Sequence, residues 1–385
     1  MVITSRFPYP LEKGDKLRIY NQLIHLGKTN EVHLIAIDHK TPCAEHIEIL
    51  KTHCRSVSTY IIPVYKRLFN LFFCFFNRRP FQVQYFFSAS TKRKIQQEIK
   101  QLQPDFIYSH LIRTSEYVAE INGPRKTLDY MDCFSRGFEL KINAAQNFIL
   151  KFICKMEFKR LKNYERTIFE KFDHHVIISE QDRQFINHPL KGKIEIIPNG
   201  VDFSIFYPVE CAKKYELLFT GNMGYPPNID AAEYAATQVL PLLLDKYPNI
   251  TLVIAGIHPP KKIKTLANKN ILVIETFAHI RDAFAQADIN LVPVVTSIGL
   301  QNKILQAMAM KIPTVTNSAG ARGIHAEEDA VVLIGDTPKE MAEQVSRLLD
   351  NKTEREFLSE KAYQYVKKNF SWEVHNEKLL QIILK

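Results

Sequence analysis

The sequence lacks the long apolar runs, paired cysteines and nucleic-acid motifs that mark several classes of protein. No apolar run reaches the roughly 17–25 residues of a membrane-spanning helix, and the opening MVITSRFPYP has no apolar segment of a signal peptide. No RNP-type, zinc-finger or helix-turn-helix signature is present, so nucleic acid is not an expected partner. The cysteines form no C-x-x-C pair and no metal-ligand spacing, which predicts reduced thiols in a cytoplasmic protein. They are Cys43, Cys54, Cys74, Cys133, Cys154 and Cys211.

The net positive charge lies in the first half of the chain. The 385 residues have a formal charge of +10, and residues 1–188 contain 29 Lys and Arg against 19 Asp and Glu. Residues 189–385 contain 22 of each. A basic half of this kind is suited to an anionic surface such as the inner face of a membrane.

Short apolar runs alternate with longer amphipathic segments in both halves. In the first half, strands are predicted at Met1–Thr4, Val32–Ile37, Ser58–Ile62, Phe106–Ser109, Thr127–Tyr130 and His175–Ile178. In the second half, the strand runs are LLFTG, TLVIAG, ILVIE, INLVPV, PTVTN and VVLIG. Strands that alternate with helices form parallel sheets through right-handed crossovers. The sequence therefore predicts an α/β fold of two doubly wound, Rossmann-like parallel-sheet domains that face a cleft.

Proline, glycine and asparagine residues cluster between residues 187 and 208, which indicates a linker. We expect a first domain at residues 1–188, a second at 189–370, and a terminal helix at 371–385 that packs back on the first. Ligands of such sheets bind beyond the carboxyl ends of the strands, so the chemistry is expected at those ends.

The strand LLFT is followed by Gly221, Asn222 and Gly224. Glycines there let the backbone approach a ligand, and the next helix presents its N-terminus, so the loop is a candidate diphosphate seat. An ordinary tight strand-to-helix turn explains the same residues.

A second polar segment, from Ser297 to Met310, begins a buried helix. Gly299 precedes the helix, and Gln301, Asn302 and Lys303 cluster in its first turn. The Lys303 ammonium can neutralise a phosphate, and Gln306 lies one turn beyond Asn302 on the same face. The alternative is a solvated first turn without a ligand.

At these motifs the chain resembles the group-one (family four) glycosyltransferases of GT-B fold, nearest their exopolysaccharide-associated branch. The resemblance runs nearly end to end. It rests on RFPYPLEKGDKLR, IIPNGVDFSIFYP, LLFTGNMGYPPNIDAAEY, INLVPVVTSIGLQNKILQAMAMKIPTV and the closing FSWE.

The resemblance implies that a nucleotide-sugar donor binds the second domain. The family's two signature glutamates fall on Ile298 and Gln306, so both acids are absent, and Gln306 is left to bond the ribose hydroxyls. The GNMGYPPN loop also lacks the usual Arg and Lys, which leaves Lys303 for the diphosphate. The implied donor-binding residues are Gly221, Asn222, Phe277, Ala278, Gly299, Leu300, Gln301, Asn302, Lys303 and Gln306.

In the first domain, the resemblance implies that the loop at Gly14, Asp15 and Lys16 approaches both donor and acceptor. Asp132 takes the place of a histidine that retaining members carry after the fifth strand, and His110 ends the preceding strand. Either side chain could take the proton of the acceptor hydroxyl. A helix N-cap for Asp132 and a structural role for His110 are the alternatives.

The segment Lys66–Arg79 is rich in phenylalanine and flanked by basic residues. It is too short to span a bilayer, but a basic aromatic segment can lie in the membrane interface. A buried helix that caps the core of the first domain is the alternative.

These observations predict a glycosyltransferase that is cytoplasmic, either free or peripheral on the inner face of the membrane. We expect it to move a sugar from a nucleotide-sugar to a glycan or lipid-linked hydroxyl in surface polysaccharide synthesis. No cofactor is expected beyond the donor as co-substrate. No D-x-D motif occurs, so we expect no catalytic metal; retention of configuration is implied by the resemblance alone. Loss of both glutamates leaves open a catalytically degenerate binding subunit, and a sugar-nucleotide epimerase of the same fold is a further alternative.

Overall fold

The computed structural model describes residues 1–11, 13–145, 147–277, 279–295, 300–324 and 331–385. The chain separates into two compact units. Unit 1 comprises Met1–Pro198 together with His375–Lys385, and unit 2 comprises Asn199–Val374. The boundary falls about ten residues after the expected 188/189 because a short strand near residue 195 pairs with the sheet of unit 1.

Unit 1 is built on a seven-stranded parallel sheet of order β3-β2-β1-β4-β5-β6-β7. Its strands are β1 (Val2–Thr4), β2 (His33–Asp38), β3 (Ser56–Ile61), β4 (Phe106–His110), β5 (Arg125–Met131), β6 (His174–Ile177) and β7 (Glu195–Ile196). The helices between them are α1 (Gly14–Leu26), α2 (Ala44–Lys51), α3 (Val64–Phe72), α4 (Phe81–Phe86), α5 (Ala89–Leu102), α6 (Phe134–Ala144), α7 (Phe148–Phe169) and α8 (Glu180–Phe185). Three-residue 3₁₀ helices lie at Phe73–Phe75, Ser115–Tyr117 and Lys191–Lys193.

Unit 2 is built on a six-stranded parallel sheet of order β10-β9-β8-β11-β12-β13. Its strands are β8 (Tyr215–Thr220), β9 (Leu252–Ala255), β10 (Ile271–Ile274), β11 (Ala287–Val292), β12 (Thr314–Thr316) and β13 (Leu333–Ile334). Its helices are α9 (Pro226–Tyr234), a π-helical turn (Ala235–Val239), α10 (Pro241–Leu244), α11 (Lys261–Lys264), α12 (Ile280–Ala285), α13 (Asn302–Ala309), α14 (Ser318–Arg322), α15 (Pro338–Asp350) and α16 (Lys352–Asn369).

Both sheets are covered on two faces, as the near-continuous apolar strand sequences require. In β8, Leu217 and Phe219 pack into one apolar cluster, whereas Leu218 between them packs into another. In β2, Leu34 and Ile35 divide in the same way. This alternation follows from the two-residue period of a strand and confirms the predicted pair of doubly wound α/β units.

The last helix, α17 (Trp372–Ile383), returns to unit 1 from residue 375 onward. Leu379, Ile382 and Ile383 pack into the apolar cluster that also contains residues of α1 and β2. The Asn376 side chain donates a hydrogen bond of 3.0 Å to the carbonyl of Asn21. Unit 1 is therefore discontinuous in sequence.

Helices long and apolar enough to cross a membrane are absent from the residues that the structure describes.

Candidate functional site

At the carboxyl end of β8, two loops of unit 2 approach each other too closely for side chains. A Cβ atom on Gly256 would lie 1.7 Å from the carbonyl oxygen of Gly221, and one on Gly221 would lie 2.8 Å from the Asn228 side chain. Asn228, in the first turn of α9, donates to the carbonyl of Asn222 at 2.9 Å, and the Asn222 side chain accepts from the amide of Gly224 at 2.8 Å. The hydrogen bonds of Asn222 and Asn228 thus hold the loop in place, and neither glycine adds a side chain that would cover its backbone.

Lys303 reaches this loop from the first turn of α13. Its ammonium donates a hydrogen bond of 2.6 Å to Asn228 Oδ1 and lies 4.5 Å from the centroid of the Phe219 ring. Burial lowers the pKa of Lys303 to about 8. The ammonium has no carboxylate partner among the described residues, so the lysine is a largely buried cation whose hydrogen-bond acceptor is neutral.

The other polar side chains of α13 leave hydrogen-bonding capacity unused within the described part of the chain. Asn302 Oδ1 is buried without a partner there, and the partly buried Gln306 contributes only its backbone carbonyl to hydrogen bonds. Buried polar atoms are nearly always paired, so Asn302 and Gln306 are suited to a polar ligand. Gln301, at the N-cap position, does not cap the helix through its side chain and makes other contacts.

The remaining donor-site residues are apolar or lie outside the described residues. Phe277, which follows β10, and Leu300, which precedes α13, are partly buried against the same apolar cluster of unit 2. Ala278 and Gly299 fall outside the described residues, as does Ile298.

In unit 1, His110 is the last residue of β4 and Asp132 follows the adjacent β5, and the backbone next to each is strained. Leu111 and Met131 adopt φ angles of 68° and 59°, in the left-handed region that non-glycine residues rarely occupy. The amide of Leu111 donates to the Asp129 carbonyl and that of Met131 to the Asp129 side chain, both at 2.8 Å. Such strain concentrates at functional sites because the surrounding structure must hold it.

Asp129 itself is a fully buried support for this edge of the sheet. Arg18 donates to its carboxylate at 2.7 Å and Tyr108 donates at 2.6 Å, while a second nitrogen of Arg18 bonds the Ile197 carbonyl at 2.8 Å. Burial opposes the charge, but Arg18 and His110 outweigh it and lower the pKa of Asp129. The ion pair fixes α1 against β5.

His110 and Asp132 share the charged neighbours Asp15, Asp129 and Arg18, and burial shifts their pKa values in opposite directions. Burial lowers the pKa of His110 to about 4. Burial, and then the Asp182 carboxylate, raise the pKa of Asp132 to about 7. The Asp132 carboxylate accepts no hydrogen bond from the described residues, and His110 Nε2 is buried without a partner among them. Near neutral pH the site thus holds a neutral imidazole and a carboxyl group poised to exchange a proton.

The predicted loop at the start of α1 contributes to this charged cluster. Asp15 forms an ion pair with Arg6, and its pKa is lowered because Arg6 and His110 outweigh the effect of burial. Gly14 lies next to Met131, whose Cε would be 3.8 Å from a Cβ there. Lys16 donates a long hydrogen bond of 3.4 Å to the Tyr9 carbonyl.

The sequence interpretation missed residues that the fold places at both sites. Asn228 joins the β8 loop to Lys303, a role that its place in the first turn of a helix does not reveal. Arg6 and Arg113 were not singled out, although each follows a strand by two or three residues, and both charges influence Asp15. Position just beyond a parallel strand was the signal that could have identified them.

The segment Lys66–Arg79 forms α3 and the turn after it, with its apolar side outward. The exposed fractions of Tyr65, Phe69 and Phe76 are 68%, 65% and 76%. Arg67 is instead buried at 3% and donates to the Ile62 carbonyl at 2.8 Å. The alternative of a buried capping helix is therefore wrong. The helix packs on the unit through the side that carries Arg67, and its phenylalanines lie on the exposed side.

A second exposed apolar stretch, absent from the sequence interpretation, begins α7. Phe148, Ile149 and Phe152 are 81%, 64% and 60% exposed. Arg160, farther along α7, donates at 2.8 Å to the carbonyl of Cys74 in the turn after α3. The two apolar stretches thus belong to elements that contact one another.

Within the described parts of the chain, no three His, Cys, Asp or Glu side chains are placed to hold a metal ion together.

Comparison with known proteins identifies a family for most of unit 2 and a fold for the chain. Residues 214–351, most of unit 2, match the family described as "Glycosyl transferases group 1". Sucrose-phosphate synthase from Thermosynechococcus elongatus is 14% identical with a TM-score of 0.70, covering 99% of this chain and 97% of that one. HepE from Anabaena, solved in complex with UDP-glucose, is 12% identical with a TM-score of 0.66, covering 99% and 98%.

The chain therefore has the GT-B fold of these solved structures, and residues 214–351 of its second unit match a group 1 glycosyltransferase domain. Among curated proteins, an uncharacterized 44.6 kDa protein in the cps region of Klebsiella pneumoniae is 22% identical over 398 residues, which cover 96% of each chain.

Proposed function

We propose that this glycosyltransferase transfers a sugar from a nucleoside diphosphate sugar to a hydroxyl group of a glycan or lipid-linked saccharide in surface polysaccharide assembly. The cps-region location of the Klebsiella pneumoniae relative supports the polysaccharide assignment. UDP-glucose, bound by HepE, is the first donor to test.

The donor diphosphate binds where the β8 loop, the start of α9 and the start of α13 meet. Lys303 supplies the positive charge, and the backbone amides that begin α13 add partial positive charge. Helix α9 adds none in this way, because it begins with Pro226 and Pro227, which have no N–H. Charge that develops on the leaving diphosphate is stabilised by groups already in place, which is how such sites lower a barrier. With Lys303 in this position and no D-x-D motif in the sequence, the reaction we propose uses no metal ion.

The sugar nucleotide's other parts are assigned to neighbouring groups. Gln306 and Asn302 provide donors and acceptors for ribose hydroxyls. Phe277 provides an apolar surface for the base. Retention of the anomeric configuration stays a prediction from the resemblance.

In unit 1, we assign the acceptor hydroxyl to the neighbourhood of Asp132 and His110. Asp132, with its pKa near 7, takes the proton of the acceptor hydroxyl, because a base with a pKa near the working pH combines availability with strength. His110, neutral at that pH, orients the acceptor through Nε2.

The enzyme works at an anionic membrane face, reached by the apolar surface of α3 and the start of α7. Lys66, Arg78 and Lys151 lie within or beside these apolar stretches. Basic amphipathic helices bind the membrane interface by burying apolar side chains and by electrostatic attraction to anionic lipids. This location gives access to a lipid-linked acceptor.

The observation that carries the proposal is the contact between Lys303 and Asn228 beside Gly221. Lys303→Met should weaken UDP binding by about tenfold or more while uridine binding changes little, because a phosphate contact with a charged group is worth about 1.5–3 kcal/mol. Calorimetric titration measures both ligands. Lys269→Met, which removes an exposed lysine of unit 2, is the matched control.

Turnover is tested with UDP-glucose and other nucleotide-sugars, with and without lipid-linked saccharide. Equal losses for UDP and uridine in Lys303→Met would contradict the diphosphate assignment. Tight nucleotide binding without transfer or hydrolysis of any donor would contradict the proposed reaction.

A further inference from the structure

Three arginine side chains of unit 1 converge on the ring of Phe86, at the end of α4. The guanidinium carbons of Arg67, Arg113 and Arg6 lie 4.7, 4.8 and 5.9 Å from the ring centroid. They come from α3, from the segment after β4 and from the segment after β1, so the fold, and not local sequence, assembles them.

Within the described residues, the carboxylate contacts of this cluster do not balance its charge. Arg6 pairs with Asp15. Arg67 donates to the backbone carbonyls of Ile62 and Ile37, at 2.8 and 3.5 Å, and Asp38 is the acidic residue that most favours its charge. Arg113 donates through two nitrogens, at 3.1 and 2.6 Å, to the neutral side-chain oxygen of Gln82.

The guanidinium of Arg113 lies in surroundings that disfavour its charge. Burial and then Arg6 lower its pKa to about 10, against the opposing effects of Asp15 and Asp132. An anion between Arg6 and Arg113 would relieve that repulsion, since buried charges are stable when paired.

The cluster is open to a ligand on one side. The Arg6 side chain is 29% exposed, and Arg113 is only partly buried. His110, three residues before Arg113, leaves its buried Nε2 without a partner among the described residues. His110, which we propose orients the acceptor, and this positive cluster therefore lie at the same edge of the sheet.

Helix α3 connects the cluster to the exposed apolar surface. Its Arg67 points inward to Phe86, whereas Leu68, Phe69 and Phe72 are 56%, 65% and 55% exposed on the outside. An amphiphile with an apolar chain and an anionic head next to it matches the two sides of this one helix.

We infer that Arg6 and Arg113, with the buried Arg67 adding positive charge beside them, form a subsite for a phosphate or diphosphate group of the acceptor, next to the base that takes the acceptor's proton. The inference rests on the proposed function and narrows its acceptor to a phosphate-bearing molecule, in which the phosphate joins lipid to saccharide. Arginine suits this role because its planar fork binds two phosphate oxygens at once.

Binding is tested in the full chain carrying Lys303→Met, so that diphosphate binding at the donor site does not contribute to the signal. The probe is farnesyl diphosphate, with inorganic pyrophosphate and farnesol for comparison, and calorimetry measures the binding of each. Arg113→Gln should weaken farnesyl diphosphate binding by about ten- to a hundredfold, the value of one or two charge-assisted hydrogen bonds. Arg93→Gln, which removes an exposed arginine of α5, should leave it unchanged.

Arg113→Lys retains the charge but not the planar fork of the guanidinium. Its affinity for farnesyl diphosphate should lie between those of wild type and Arg113→Gln. A circular dichroism melt checks that each variant is folded, and Arg6→Gln provides a second, more exposed position. Pyrophosphate binding as tight as that of farnesyl diphosphate would keep the phosphate subsite but overturn the lipid-linked source.

Unchanged farnesyl diphosphate binding in both Arg113→Gln and Arg6→Gln would overturn the subsite, as would an equal loss of farnesol binding. Failure of the proposed function is seen separately, because UDP binding to the chain with Lys303 intact depends on unit 2 and should not respond to Arg113→Gln.

Discussion

Asp132 and Lys303 are single residues whose burial moves their pKa values toward the neutral range. The pKa of Asp132 is raised to about 7 and that of Lys303 is lowered to about 8. Each group therefore changes charge close to the pH at which a transferase works, and each makes a testable statement about pH.

If Asp132 is the base, transfer should rise with pH through about 7, as its carboxyl group ionises. Asp132→Asn should lower kcat by about a hundredfold or more and remove this limb from the pH profile. His110 stays neutral across the same range because its pKa is about 4. A limb near pH 7 that survives in Asp132→Asn would contradict the assignment.

The same shift has a consequence for stability. Because the pKa of Asp132 is raised from 3.8 to about 7 in the folded state, protonation favours that state; the contribution is complete below about 3.8 and is lost as pH rises from there through about 7. Asp132→Asn should therefore be more stable than wild type at pH 8, and this difference in stability should be smaller at pH 5. Urea unfolding at the two pH values measures this, and a variant destabilised at pH 8 would contradict it.

A bound diphosphate should raise the pKa of Lys303 from about 8, since it adds negative charge to a site without a carboxylate among the described residues. UDP binding at pH 8.5 should then take up protons, and UDP affinity should fall as pH rises above 8. Calorimetry in buffers of different ionisation enthalpy measures the uptake. Proton uptake of the same size in Lys303→Met would show that another group is responsible.

At the scale of elements, the β8 and β9 loops depend on a contact that only glycine permits. Gly256→Ala would place a methyl group 1.7 Å from the Gly221 carbonyl oxygen, so one loop must move. We expect UDP affinity to fall by about tenfold or more, with destabilisation of about 1–3 kcal/mol. Gly137→Ala in α6, where nothing lies within 4 Å of the new methyl, is the control. Unchanged UDP affinity would mean that the loop does not shape the donor site.

Helix α3 makes a prediction about its outer surface. Glutamine at Leu68, Phe69, Phe72 and Phe76, which are 55–76% exposed, should release the protein from anionic vesicles and leave the fold intact. Sedimentation with vesicles containing phosphatidylserine measures binding. Exposed residues of unit 2, Leu242 and Leu272, changed to glutamine provide the control. Vesicle binding that persists in the α3 variant would remove the docking surface.

At the scale of the whole molecule, the chain leaves unit 1 after Pro198 and returns to it at His375. Leu379 is fully buried against residues of α1 and β2, so the last turns of the chain belong to the core of its first unit. Stability of unit 1 therefore depends on residues far away in sequence.

Leu379→Ala should lower the free energy of unfolding of unit 1 by about 2–5 kcal/mol, the range for deleting a buried leucine side chain. Hydrogen exchange should increase in α1 and β2 and remain unchanged in β8 and β9. Val374→Ala, at a half-exposed position just before the return to unit 1, should have little effect. Faster exchange confined to unit 2 would contradict this account.

Much of the architecture could be predicted from periodicity. The strands around Val2–Thr4, Phe106–His110 and Leu252–Ala255 are each predicted within about two residues of their observed bounds. Buried parallel strands read as continuous apolar runs, which is a local signal. The two-residue strand Glu195–Ile196 is missing from the prediction, because it is too short to show a periodic pattern.

The sequence by itself determined the alternation of strands and helices, the strand ends where Gly221, Lys303, His110 and Asp132 lie, and the confinement of positive charge to the first half. Only the tertiary structure decided that Asn228 joins Lys303 to the β8 loop, that Arg67 is buried while its phenylalanine neighbours are exposed, and that three arginines meet at Phe86. The physical reason is that periodicity depends on neighbours in sequence, whereas burial, pKa shifts and charge clusters depend on which distant segments the sheet brings together.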